Sequence, residues 1–294
     1  MKQLTLFAEK KMVEVNVSKV PQRSPFRYPG GKTWLVPWVR VWLRKLSFRP
    51  KVFIEPFAGG AIIGLTVAFE NLAEKIILIE IDDKVAAVWN TILCNDAKWL
   101  CSRINSFDLT ISNAKALIES NPKNTREKAF ITILKNRIYH GGILANGSGL
   151  IKNGENGKGI KSRWYPQTLV KRINAIHEHR HKIQFLEGDG ISYLTENANE
   201  SNFAFFIDPP YTASSKKAGK RLYRYYDINH EKLFSIAKEI ESTFLMTYDN
   251  AKEIHDLSDR FEFQKGLVPM RNTHHYKMFE LLISNDLGWL KEIQ

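Results

Sequence analysis

Asp208-Pro209-Pro210-Tyr211 is the stretch of this chain best suited to chemistry. It follows Phe203-Ala204-Phe205-Phe206-Ile207, an apolar run that reads as a buried parallel strand. Open α/β sheets place their ligands at the carboxyl ends of such strands. Prolines fix φ and lack an N–H, so the carbonyls around them are available as acceptors. An acid, a proline carbonyl and an aromatic ring at that place suit the holding of an exocyclic amine against acceptors while its ring stacks on Tyr211. A strand-ending turn with Asp208 as a cap is the plainer alternative.

Three further groups precede it in order. Arg27-Tyr28-Pro29-Gly30-Gly31-Lys32 offers two glycines that let backbone approach a ligand, and one positive charge; an ordinary Pro-Gly turn would look the same. Glu55-Pro56-Phe57-Ala58-Gly59-Gly60 sits at a strand-to-helix turn, where glycines leave helix N–H groups facing a ligand. Glu80 ends the next strand, and Asp82 or Asp83 could cap the helix beyond it. An acid about 20 residues past a glycine turn suits hydrogen bonds to ribose hydroxyls. A glycine turn without a long GxGxxG, followed by a ribose acid, fits a nucleoside cofactor better than a dinucleotide, and S-adenosylmethionine in particular.

The elements needed to position these groups are legible. Strands are expected at 51–55, 75–81, 183–187, 203–207 and 242–247, with a final pair near 261–263 and 276–283 read as a hairpin. Helices at 61–71 and through Trp89 to Cys94 give a strand–helix–strand–helix rhythm, the mark of a doubly wound parallel sheet. Residues 97–182 differ: helices at 112–120 and 126–137, a glycine-rich loop, and eight Lys or Arg against two Glu over 151–182. The expected organisation is an arm at 1–24, a catalytic domain at 25–96 and 183–294, and a mostly helical inserted lobe at 97–182.

The net charge of +12 points to a polyanionic partner. Cys94 and Cys101 form no disulfide framework or metal spacing and read as small buried hydrophobes of a reducing compartment. No run approaches a membrane span or a secretory leader, so the expected location is cytoplasmic. The histidines are scattered, and no metal is expected.

Taken together, YPGGK, EPFAGG, the acid after strand two, the basic insertion and DPPY resemble the Dam-type adenine-N6 DNA methyltransferases over residues 24–285. The resemblance implies a Rossmann-like S-adenosylmethionine methyltransferase sheet with an inserted target-recognition lobe. It implies that Tyr28 and Lys32 border the cofactor, that Phe57, Ala58, Gly59 and Gly60 face its methionine part, that Glu80 meets the ribose and that Asp189 lies near the adenine. Asp208, Pro209 and Tyr211 match the catalytic motif, with Asp208 also bordering the cofactor. The family usually has Asp where this chain has Glu80.

The implied reaction moves a methyl group to the N6 amine of an adenine flipped out of duplex DNA. Lys135, Arg137, Arg163, Trp164, Lys171 and Arg172 in the lobe, and Lys216, Lys217 and Lys220 after DPPY, are the expected DNA contacts. A solvated basic face is the plainer reading of both groups. Gln3-Leu4-Thr5-Leu6-Phe7 resembles the short peptides that dock bacterial proteins on the replication sliding clamp, through Gln3, Leu4, Leu6 and Phe7. A companion restriction endonuclease, as in restriction-modification, fits the same reading. The rival readings are a cytosine-N4 DNA or RNA base methyltransferase, and a non-catalytic DNA-binding module.

Overall fold

The computed structural model describes residues 16–28, 30–145, 147–154, 157–210, 224–225, 227–271 and 277–292. Seven strands form one sheet: β1 (Val52–Glu55), β2 (Lys75–Glu80), β3 (Ile183–Glu187), β4 (Phe203–Ile207), β5 (Thr243–Asp249), β6 (Gln264–Arg271) and β7 (Lys277–Ser284). Their order is β3-β2-β1-β4-β5-β7-β6. The first five run parallel, and β7 is antiparallel to both β5 and β6. This is the expected Rossmann-like sheet with a closing hairpin. The order reverses between β1 and β4, and the crevice at that switch point is where such sheets bind ligands.

The strands read as continuous apolar runs because both faces are covered. Phe53, Ile76, Leu78, Ala204, Phe206, Leu245 and Leu282 face one hydrophobic cluster. Their neighbours Ile54, Ile77, Ile79, Phe205, Ile207, Phe244, Met246, Leu281 and Ile283 face another. On the first face lie α1 (Val36–Lys45), α2 (Ile62–Phe69) and α3 (Asp83–Leu93). On the second lie α8 (Gly190–Asn197), α9 (His230–Lys238) and α10 (Lys252–Arg260).

The basic insertion supplies α4 (Ala97–Ser106), α5 (Ile111–Glu119), α6 (Thr125–Ile138) and α7 (Pro166–Glu178), and no strand among its described residues. Leu100, Ile104, Phe130, Ile133, Leu169 and Ile173 of α4, α6 and α7 belong to the same cluster as Phe53 of the sheet. Only a small satellite, Leu109, Ala114, Leu134, Ile138 and Ile160, is the insertion's own. Its helices therefore extend the main core.

Two expectations shift. The penultimate strand begins at Gln264, because Glu262 takes a left-handed φ of 60° at the end of α10 and Phe261 and Phe263 turn to pack on Phe234. Cys101 is buried, but Cys94, expected to be buried with it, is exposed beyond α3. Among the described residues no helix is long and apolar enough to cross a membrane.

Candidate active site

At the switch point, β1 ends in Glu55 and the chain turns through Pro56 to Ala61 into α2. Ala61 takes a left-handed φ of 49°, which launches the helix without a side-chain cap. Gly59 also has a positive φ, 45°, and a Cβ there would stand 2.6 Å from the Tyr28 ring. Tyr28 is thus laid against the glycine turn, where only hydrogen fits. Trp89 of α3 donates its indole N–H to the Gly59 carbonyl at 2.9 Å, holding the turn from behind.

Glu80 is buried at the end of β2. Its Oε2 accepts the Gly59 N–H at 2.8 Å, and its Oε1 accepts the Asp82 N–H at 2.9 Å. Burial pushes its carboxyl up to about 7, against the pull of those two N–H groups. Next to it Ile81 is exposed, an apolar surface beside a polar acid. Asp82 caps α3 by accepting the Lys84 N–H at 2.9 Å. Asp189 caps α8, accepting the Ile191 and Ser192 N–H groups at 3.2 and 3.1 Å.

Asp208 ends β4. Its Oδ1 accepts from Lys32 Nζ at 3.0 Å and from the Thr247 hydroxyl of β5 at 2.7 Å. Lys32 is buried and also reaches Glu280 Oε1 of β7 at 2.9 Å and the Gly30 carbonyl at 3.1 Å. Glu55 accepts the Gly64 N–H at 2.7 Å. Burial, with Asp208's charge adding to it, pushes the Glu55 carboxyl well above the ordinary range.

The site opens as one cavity of about 1470 Å³. That exceeds the roughly 300–1,000 Å³ of a single small-molecule site. Tyr28, Lys32, Phe57, Ala58, Gly60, Glu80, Asp189, Asp208 and Pro209 all lie on its wall. The insertion contributes Arg137, Arg163 and Arg172.

Arg137 is buried and donates to the Pro25 carbonyl, and Arg172 donates to the Ser24 carbonyl at 3.0 Å. Burial lowers the Arg137 guanidinium to about 10, with the charge of Arg172 adding to the effect. Lys135, Trp164 and Lys171 lie off the described wall. Trp164 packs edge-on against Phe107 and Phe130, at centroid distances of 6.2 and 6.5 Å. Lys135 is half-buried, its ammonium disfavoured by burial and then by Lys84 and Arg224. Lys171 is exposed on α7.

Tyr211, Lys216, Lys217, Lys220 and the peptide Gln3, Leu4, Leu6 and Phe7 lie outside the described residues. Among the described residues no group of three or more His, Cys, Asp or Glu could hold a metal ion.

Sequence reasoning gives no role to Glu55, Thr247, Glu280 or Asn136, and reads Arg224 only as one of the basic residues after DPPY that meet the DNA backbone. The first three share a signal: a polar residue inside an apolar strand, which burial obliges to find a partner. Asn136 of α6 accepts the Arg27 N–H at 2.8 Å and donates to the Arg27 and Gly142 carbonyls at 3.0 and 2.8 Å, stitching the first motif to the insertion. Arg224 spans to Asp82 and Asp83, both at 2.6 Å. Burial works against its charge, but those hydrogen bonds win and raise its pKa.

A sheet that reverses at β1 and β4, with a glycine turn, a ribose-type acid and an anchored Asp-Pro-Pro at that reversal, defines a Rossmann-like methyltransferase. The family described as D12 class N6 adenine-specific DNA methyltransferase matches residues 28–268. The chain belongs to that family, and it is an S-adenosylmethionine-dependent DNA adenine methyltransferase.

Among solved structures it is similar to an rRNA methyltransferase from Streptomyces viridochromogenes, at 13% identity and a TM-score of 0.39, over 95% of this chain and 96% of that one. A methyltransferase from Geobacter sulfurreducens shows 10% identity and a TM-score of 0.39, over 88% and 80% of the two chains. A precorrin-6y C5,15-methyltransferase from Geobacter metallireducens shows 9% identity and a TM-score of 0.35, over 94% and 93%. Similarity at this level does not bear on substrate. No curated protein matches the chain.

Proposed function

We propose that the crevice holds S-adenosylmethionine at the glycine turn and an adenine, flipped out of duplex DNA, against Asp208 and the Pro209 carbonyl. The observation that carries this is the fixing of Asp208 Oδ1 by Lys32 and Thr247, at the end of the strand beside the glycine turn. Two donors on one carboxylate oxygen fix the orientation of the whole group.

The donor set suits the cofactor. Glu80 is a carboxylate held in place for ribose hydroxyls, Ile81 offers an apolar face to a purine, and Ala58 and Gly60 of the glycine turn line the cavity just ahead of α2. S-adenosylmethionine supplies a methyl group on a positively charged sulfur. The adenine N6 lone pair is delocalised into the ring. Asp208 and the Pro209 carbonyl, accepting the two N–H bonds, favour a more tetrahedral and nucleophilic nitrogen. With the cofactor bound, that nitrogen would take the methyl group, the carbon–sulfur electron pair would stay with sulfur, and the amine would lose one of the protons held by Asp208 and the Pro209 carbonyl. Most of the rate gain is positioning. Arg137, Arg163 and Arg172 put positive charge on the wall facing the DNA strand.

Replacing Asp208 tests the reading. Asp208→Ala should lower tritiated methyl transfer to DNA by about 100-fold or more, with cofactor binding reduced less than turnover. Retention of more than about a tenth of the wild-type rate sinks the assignment.

We also propose that residues 1–11 dock on a bacterial sliding clamp, with Leu4, Leu6 and Phe7 entering an apolar pocket. A peptide of that segment should bind a clamp in titration, and Phe7→Ala should abolish binding; equal binding by both peptides ends the idea.

A further inference from the structure

One buried ammonium serves two carboxylates in this site. Lys32 and Glu280 are each 4% exposed, and Nζ stands 2.9 Å from Glu280 Oε1 and 3.0 Å from Asp208 Oδ1. The Gly30 carbonyl accepts from the same ammonium at 3.1 Å. Glu280 comes from β7, opposite Asp249 of β5 and Val268 of β6, so the closing hairpin reaches into the site from the far side of β5.

Neutralising a buried lysine takes one carboxylate. A second one on a separate strand, as deeply buried as the lysine itself, is costly to keep unless it serves the site. Two effects follow from sharing. Lys32 is held from both sides, so the oxygen of Asp208 that it grips is fixed in place. Its charge is also divided, so Asp208 retains acceptor strength for the amine, on whose nitrogen positive charge builds during transfer. Without Glu280, more of the ammonium's charge would fall on Asp208.

We propose that Glu280 is a positioning residue of the methyl transfer, acting through Lys32 on the Asp208 carboxylate. This rests on the reading that Asp208 holds the amine. Other groups facing the cluster include Thr247 and Tyr248 of β5, Glu55 of β1 and Asp249 of β5, which lies opposite Glu280 in the register. Thr247 grips Asp208 directly, whereas Glu280 reaches it through the shared ammonium.

The test is steady-state transfer of a tritiated methyl group to DNA by Asp208→Ala, Glu280→Gln, Glu280→Asp, Lys32→Met and the Lys32→Met/Glu280→Gln double variant. Calorimetric titration of cofactor and DNA, and thermal unfolding, accompany it. Glu280→Gln keeps the shape and removes the charge. It should lower kcat by about 10-fold or more while KM and binding of both ligands stay within about 3-fold, because what is lost is alignment during transfer. Glu280→Asp should recover part of kcat. With Lys32 already gone, Glu280→Gln should change kcat by less than about twofold, the sign of two residues acting as one unit. The double variant removes this ion pair as a unit; if Glu280→Gln alone unfolds, Glu280→Asp, which keeps the charge but shortens its reach, supplies the comparison with Lys32 present. A wild-type kcat in Glu280→Gln, or equal losses with and without Lys32, overturns the role of Glu280 while leaving Asp208 in place. An active Asp208→Ala overturns both readings.

Discussion

Gly190 lies so close to Pro56 that nothing larger than hydrogen fits between them: a Cβ on Gly190 would stand 2.0 Å from the Pro56 carbonyl oxygen. Gly190 opens α8 just after Asp189, and Pro56 opens the glycine turn after β1. The contact therefore sets the spacing between two edges of the crevice, Asp189 at the start of α8 and the turn after β1.

Gly190→Ala should push these edges apart. Overpacking of this kind costs about 1–3 kcal/mol. Denaturant unfolding should show that loss, and calorimetry should show weaker cofactor binding. A variant of wild-type stability and affinity would mean that the turn yields freely.

Glu80 should give cofactor binding a pH dependence of opposite sign to its effect on folding. Its carboxyl rises from 4.5 to about 7 in the folded chain because it is buried. Across that window the folded state keeps a proton that the unfolded chain has shed. The stability tied to Glu80 is thus present below the window and is lost as pH rises through it. Ribose hydroxyls favour the ionised form, so cofactor affinity should fall as pH drops below about 7, by up to about tenfold per unit. Glu80→Gln should flatten the curve. Calorimetric titration across neutrality checks this, and a wild-type affinity independent of pH refutes it.

What can be read from the sequence is what is local. Ile76-Ile77-Leu78-Ile79 and Phe203 to Ile207 declare themselves as strands because both faces of the sheet are covered. Glu80 and Asp208 declare themselves because each is the acid where such a run stops. Glu280 and Thr247 do not, because their meaning depends on β7 lying beside β5, a pairing between distant segments that leaves no local trace. The extent of the insertion's packing is hidden for a related reason. An amphipathic helix shows that it has an apolar face, not which surface covers it. α4, α6 and α7 would show the same pattern in a separate lobe as they do on this sheet. Gly142 is visible only as a loop glycine. Its φ of 74° and a Cβ that would meet the Arg27 carbonyl at 2.3 Å show that the loop closes on the first motif.

The basic residues outside the cavity are open to a direct electrostatic test. If Lys171 meets one phosphate, Lys171→Ala should reduce the slope of log affinity against log salt by about 0.9. Replacing Lys216, Lys217 and Lys220 together should reduce it by about 0.9 for each lysine that meets a phosphate. The preferred DNA sequence should not change, since phosphate contacts carry no sequence information. Fluorescence anisotropy with a labelled duplex at several salt concentrations measures the slopes. Unchanged slopes return these lysines to a solvated face.

Trp164 is expected at the DNA and is found against Phe107 and Phe130, with Arg103 over both of those rings at 5.5 and 5.1 Å. Phe130 belongs to the main core, while Ile160 and Leu134 form the satellite that Trp164 also touches, so the indole joins the two clusters. Trp164→Ala should therefore act through stability. Truncating a buried Trp costs about 3–5 kcal/mol, and a half-buried one should approach the lower end. Tm should fall, while the salt slope of DNA binding, measured well below the new Tm, stays at the wild-type value. Trp164→Phe should recover much of the loss by keeping an aromatic edge against Phe130. A variant that unfolds like wild type but binds DNA with a changed slope would place Trp164 at the nucleic acid instead.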